Sequence, residues 1–181
     1  NALGNGVLNI RETSGSVAGS FGTVLVGRSL GIHQSSAILN DMLLFGVGAA
    51  ASAGNSGTTL GRIGLGYLYT DFQPQISWTL PGMDALGGNF GAKIGLFDPN
   101  DVHADDTAFS ATDKSSPRVE AQLTYAGGMG DLGINLWVDG SFQNTDRSEA
   151  EASVVTTSVP AGRDEDRDID SAGVGFGTKL S

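Results

Sequence analysis

The chain has 181 residues, 28 of them Gly, 5 Pro and none Cys, with a formal net charge of −10 at pH 7. The lack of Cys removes disulfides and thiolate chemistry, and the acidic balance excludes nucleic-acid binding, which needs Lys and Arg to displace phosphate counterions. No apolar run reaches the ~18 residues of a membrane-spanning helix, but a membrane β-barrel stays open, because its strands need only ~9–11 residues with every second one apolar.

In chain order, Asn1 to Ile10 lacks the basic region and apolar core of a signal peptide. Leu3 to Ile10 reads as a strand, and Phe21 to Arg28 as another. A long connection, Ser29 to Gly61, follows. Within it Ser35 and Ser36 can cap a short helix over Ala37 to Leu44. That helix would turn Ile38, Met42 and Phe45 to one side and Asp41 to the other. Gly46 to Gly57 is rich in small residues (Ala49, Ala50, Ala51, Ser52), which suits close backbone packing.

Period two then governs the chain. Ile63, Leu65, Tyr67 and Tyr69 alternate with Arg62, Gly64, Gly66 and Thr70. The phase slips between Asp71 and Pro74, and Ile76, Trp78 and Leu80 continue it opposite Gln75, Ser77 and Thr79. One long strand with a bulge explains the slip, and a turn there explains it as well. Phe90, Ala92, Ile94 and Leu96 alternate with Gly91, Lys93, Gly95 and Phe97. Val119, Ala121, Leu123 and Tyr125 alternate with Arg118, Glu120, Gln122 and Thr124. After Gly127–Asp131 the pattern restarts, with Leu132, Ile134, Leu136, Val138 and Phe142 opposite Asn135, Trp137, Asp139, Ser141 and Gln143. Ala172, Val174, Phe176 and Leu180 alternate with Ser171, Gly173, Gly175, Gly177 and Lys179.

The fold class is therefore all-β and antiparallel, with roughly seven strands in a single domain over residues 1–181. Connections alternate between short (near Pro81–Asn89 and Gly127–Asp131) and long (Ser29–Gly61, Pro99–Pro117, Asn144–Ile169). Short turns on one side and long polar loops on the other is the layout of an outer-membrane barrel. The aromatics Tyr67, Tyr69, Trp78, Phe90, Tyr125 and Phe142 lie near strand ends, where interface girdles sit. A soluble β-sandwich also has one apolar face per strand, so alternation alone leaves that reading open.

Motifs for chemistry are few, and the expectation is that the chain is not an enzyme. His33 and His103 are the only histidines and fall in different loops, so neither a Ser-His-Asp arrangement nor a metal site with ligand spacing emerges. The acidic run Asp164 to Asp170 lacks the turn glycine and final glutamate of a calcium loop. It reads as a solvated charge run, with loose Ca²⁺ or Mg²⁺ binding at the acidic loops as the other reading. Gly173-Val174-Gly175-Phe176-Gly177 has the wrong spacing for a dinucleotide fingerprint. No cofactor is expected.

Ser20-Phe21-Gly22-Thr23-Val24-Leu25-Val26-Gly27-Arg28, the loop with Asn40-Asp41-Met42-Leu43, and Gly61-Arg62-Ile63-Gly64 together resemble the trimeric porins of Gram-negative bacteria. The stretch Asn89 to Gln143 is similar to the strands that follow in that family. The resemblance implies a water-filled outer-membrane channel for ions and small hydrophilic solutes, a homotrimer in lipid and lipopolysaccharide, and a barrel of about 16 strands, which is what an aqueous channel requires. On that scale this chain would be an internal segment. The resemblance also implies that residues 29–61 fold into the pore as a constriction, with Arg28 and Arg62 on the wall and Asp41 on the loop. Alternation points Arg28 at lipid, so the role implied for it requires a bulge at Gly27. The family's second loop acid is missing here, where the sequence reads Leu43-Leu44-Phe45-Gly46-Val47. Lys93, Arg118, Glu120 and Asp139 fall on the polar face and are expected to line the pore. The rival functions are a small outer-membrane barrel with a structural or adhesion role and a soluble sandwich that binds a ligand.

Overall fold

The computed structural model describes residues 10–44, 49–52, 55–60, 67–99, 102–103, 110–111, 116–145 and 169–181. Strands β1 (Thr13–Gly19) and β2 (Gly22–Leu30) precede a one-turn helix α1 (Ser35–Leu39). A small hairpin of β3 (Ala49–Ser52) and β4 (Asn55–Leu60) follows, then β5 (Phe72–Thr79), β6 (Met83–Ala85) and β7 (Gly88–Phe97). A second small pair, β8 (Val102–His103) and β9 (Ser110–Ala111), leads to β10 (Arg118–Met129), β11 (Leu132–Thr145) and β12 (Ile169–Leu180).

The main sheet is an antiparallel meander in the order β1-β2-β5-β7-β10-β11-β12, with β6 paired to β7. It is an open sheet among the described residues, with β1 and β12 at its ends. Because each strand lies beside the next main strand in the chain, connections fall alternately at two opposite ends. The turn at Ser20-Phe21, the β6 region and the two-residue turn Gly130-Asp131 share one end. The long connections 31–71, 98–117 and 146–168 share the other. Turn chemistry agrees. Leu86 and Gly87 both take positive φ, +52° and +75°, as the hairpin turn between β6 and β7 demands, and Gly130 does so at +65°.

Register lays the alternating residues out in rows across the sheet. One face carries Val26, Ile76, Leu96, Val119 and Phe142 in one row, and Ala92, Leu123, Val138 and Phe176 in another. The opposite face carries Ser77, Gly95, Glu120, Ser141 and Gly173, then Thr79, Lys93, Gln122, Asp139 and Gly175. Each apolar side chain thus stands beside another on a neighbouring strand, the contact that stabilises a sheet.

The burial of those faces is inverted relative to a water-soluble domain. Among the described residues only Ile32, Ile38 and Phe97 are buried hydrophobics, whereas Gln73, Gln75, Glu120, Gln122, Asp139 and Gln143 are all buried. Leu123, Leu136, Val138, Val174 and Phe176 are exposed, Phe176 at 86%. No second sheet covers the apolar face among the described residues, which is what a sandwich would have required.

The structure departs from the sequence reading in several places. Thr13–Gly19 is a strand although its small polar residues (Thr13, Ser14, Gly15, Ser16) carry little strand signal; pairing with β2 along its whole length recruits it. Of the long strand expected from Ile63 to Leu80, residues 63–66 lie outside the described residues and the described part enters the main sheet at Phe72. Tyr67 makes a single bridge and residues 68–71 are irregular, so the phase slip marks a strand start and not a bulge. Tyr67 and Tyr69 therefore belong to no strand end of the main sheet. The helix is Ser35–Leu39, not 37–44: Gln34 occupies the cap with φ +64°, and Ser35 donates its hydroxyl to the Ile32 carbonyl at 2.7 Å. Met42 is exposed, not turned to the wall with Ile38. Residues 3–9 of the first expected strand, Phe45, Arg62 and most of the acidic loop residues, from Asp105 to Asp168, lie outside the described residues.

Candidate functional site

The polar face is buried because part of the chain lies on it. After β2 the residues from Gly31 to Ile38 leave the sheet and settle over β10, β11 and β12. Two wall carboxylates receive them. Glu120 Oε2 accepts the backbone N–H groups of Ile32 (2.7 Å) and His33 (2.9 Å). Asp139 Oδ1 accepts the Gln34 N–H (3.0 Å) and lies 2.6 Å from His33 Nδ1. Gln122 donates to the Ser36 hydroxyl at 3.0 Å, and Gln75 donates to the carbonyls of Ser29 and Leu30. Thr70 donates to the His33 carbonyl. Ahead of α1 the segment has few internal partners for its backbone, so a polar wall is the surface it can lie against without loss of hydrogen bonds.

Room for the segment comes from glycine. A Cβ on Gly173 would stand 2.8 Å from His33 Nε2, and one on Gly175 would stand 2.8 Å from Asp139 Oδ1 and overlap the Gln34 amide. On β7, a Cβ on Gly95 would crowd Ile32. Gly173 and Gly175 are thus a floor kept low for the crossing chain, while Gly177 makes room for the Trp137 indole on β11.

Beside this contact, Arg118 pairs with Glu120 (Nη2 to Oε1, 2.9 Å), donates to Gln73, and lies 5.5 Å over the Phe97 ring. Phe97 is 2% exposed and fills the corner beneath it. Asp41 is held at the far end of the segment. Its Oδ1 accepts the Leu43 N–H at 2.9 Å and its Oδ2 accepts the Tyr67 hydroxyl at 2.6 Å. Burial first, then this hydrogen bond and the Asp41 charge, push the Tyr67 hydroxyl far above the ordinary phenol range, so it remains a donor.

The residues singled out from sequence fare differently. Lys93, Arg118, Glu120 and Asp139 all stand on the polar face. Lys93 is exposed there, but Glu120 and Asp139 are covered by the segment and anchor it instead of facing open space. Arg28 is a correction. The pairing runs unbroken through Gly27, despite its φ of +129°, so no bulge turns the arginine inward. Arg28 is exposed, in register with Pro74 and on the face of Val26 and Ile76. Arg62 lies outside the described residues. His33, Gln73, Gln75 and Tyr67 carry roles that sequence reasoning did not assign. The glycines facing inward on β12 were the available signal that something crosses there.

The outer face has its own pattern at the short-turn end. The Trp78 indole donates to the Phe21 carbonyl at 2.8 Å. Phe90 and Tyr125 meet as a tilted pair with centroids 4.8 Å apart, and the Tyr125 hydroxyl reaches the Leu86 carbonyl. Trp78 and Tyr125 each direct their polar atom to a backbone carbonyl at this end. Among the described residues no three His, Asp or Glu side chains gather as a metal site. No family model, no curated protein and no solved structure matches the chain.

Proposed function

We propose that this chain forms part of an outer-membrane β-barrel channel of the porin type, which lets ions and small hydrophilic solutes diffuse passively. The observation that carries this reading is the inversion of polarity on one sheet: apolar side chains open on one face, polar and charged ones covered on the other. In water such a sheet leaves its largest side chains unburied, against ~25 cal/mol per Å². In lipid the same arrangement satisfies both faces, with hydrocarbon outside and water or polar chain inside. The aromatic groups with polar atoms near the short turns fit a headgroup level.

An open sheet edge is not tolerated in hydrocarbon, so on this reading further strands close the barrel, about 16 in all for an aqueous lumen. The segment on the polar face then lies inside the pore and narrows it. Asp41 stands on that segment and Lys93 on the wall, so the lumen carries charges of both signs. A homotrimer in lipid and lipopolysaccharide follows from the resemblance described above.

The test is single-channel recording of the full-length, detergent-purified protein in a planar bilayer. Stepwise openings are expected, and Lys93→Glu shifts the reversal potential towards cations. A folded protein that never conducts overturns the proposal. Openings with a reversal potential indifferent to Lys93 leave the channel and remove Lys93 from its lining.

A further inference from the structure

Four contacts of the inward segment converge on one buried group of charges. From β10 come Glu120 and Arg118; from β11 comes Asp139; β12 contributes only glycines at this level; the stretch of chain before β5 contributes Thr70, with the exposed Asp71 accepting the Gly31 N–H through its backbone carbonyl. Arg118 is engaged at 2.9 Å with Glu120. Asp139, with a side chain at 0% exposure, has His33 as its sole ion-pairing partner among the described residues, at 2.6 Å. Two carboxylates thus stand in contact with one guanidinium, and the carboxylates of Asp71 and Asp98 act on that guanidinium from nearby. The group carries one more net negative charge when His33 is neutral than when it is an imidazolium. A desolvated charge without a partner is costly. The second oxygen of Asp139 and the second nitrogen of His33 both lack a hydrogen-bond partner, and the remaining hydrogen bond to Asp139, from the Gln34 N–H, is uncharged.

We propose that His33 and Asp139 form a proton-sensitive latch: with His33 charged, the segment Gly31–Ile38 is fastened to the wall, and loss of that proton loosens it. The inference rests on the channel reading for its consequence, because the fastened segment sets the bore. It concerns positioning residues, since neither group faces the open lumen. The direction follows from the charge count. The fastening contributed by the ion pair is present while His33 carries its second proton and is lost with that proton as the pH rises. The neutral imidazole can still donate from Nδ1, so the latch weakens without vanishing.

Two readouts test it on the reconstituted full-length protein between about pH 5 and about pH 8, the imidazole range. The first is amide hydrogen exchange at Ile32, His33 and Gln34, corrected for intrinsic base catalysis. Their protection is expected to fall at least about fivefold as the pH rises, the lower end of ordinary coupling between two linked equilibria. The second is channel noise and conductance, expected to change over the same range. His33→Asn keeps a side-chain N–H near the position of Nδ1 and cannot titrate, so it should flatten both profiles. Asp139→Asn should flatten them too, and His103→Asn should leave them intact. Unchanged pH dependence in His33→Asn, or none in the native protein, overturns the latch. A protein that never conducts, yet loses protection at Ile32, His33 and Gln34 only while His33 is present, keeps the latch and overturns the channel reading.

Discussion

The two faces of β10 and β11 are built from alternate residues of the same strands, yet their chemistry is opposite. Leu123, Leu136, Val138 and Phe142 stand open on one side, while Glu120, Gln122, Asp139 and Gln143 are covered on the other. The outer face achieves its order by repetition: row after row of apolar side chains in register, none individually specific. The inner face achieves it by named contacts, each with a donor and an acceptor. The difference teaches where single substitutions should matter, since an unmade hydrogen bond at a buried charge costs more than a changed contact on a uniform apolar surface.

The largest effect is expected from Glu120→Ala. It removes the acceptor of two backbone N–H groups and takes from the buried Arg118 its ion-pair partner at 2.9 Å, a loss of about 3–5 kcal/mol. Denaturant titration of the protein in vesicles measures it, and a cost under about 1 kcal/mol would show that the inner face is wetter than its contacts imply. Next comes Leu123→Arg on the outer face. In a bilayer it should cost about 2–4 kcal/mol near the midplane, whereas a leucine that merely faces water would tolerate the change within about 0.5 kcal/mol. The same titration separates the two environments. Smaller again is Gly175→Ala, whose new methyl meets the Gln34 amide and Asp139. Displacing the segment should cost about 1–3 kcal/mol and raise amide exchange at Gln34 first; unchanged exchange would mean that the segment does not rest on β12.

Much of the sheet was legible in the sequence. The in-and-out phase of β7, β10, β11 and β12 is the one read from alternation, down to the inward placement of Trp137, because a strand with two unlike faces has one tolerable register. Elements without that signal were missed. Strand β1 has small residues on both faces and is specified by its neighbour, and the β3–β4 hairpin is likewise built largely from Ala, Ser, Gly and Thr. The charged residues of the polar face were found by phase, but phase cannot say what lies on top of them. Glu120 and Asp139 looked like residues facing solvent because the segment that covers them comes from elsewhere in the chain. His33 looked idle because its partner, Asp139, is on a strand 106 residues away in the chain. Arg28 shows the converse: alternation alone placed it outward, and the resemblance drew it inward against that phase.

The anchoring contacts of the inward segment also fix an order of events. The bonds from Ile32, His33 and Gln34 to Glu120 and Asp139 span 87 to 106 residues of chain, whereas each hairpin of the sheet closes over a two-residue turn or a single loop. Contacts of such separation close late, since the loop entropy must be met before they form. The stretch Gly31–Ile38 is made early in the chain, but its contacts with Glu120 and Asp139 can form only once β10 and β11 are in place, so the covering of the polar face comes after the pairing of the strands beneath it.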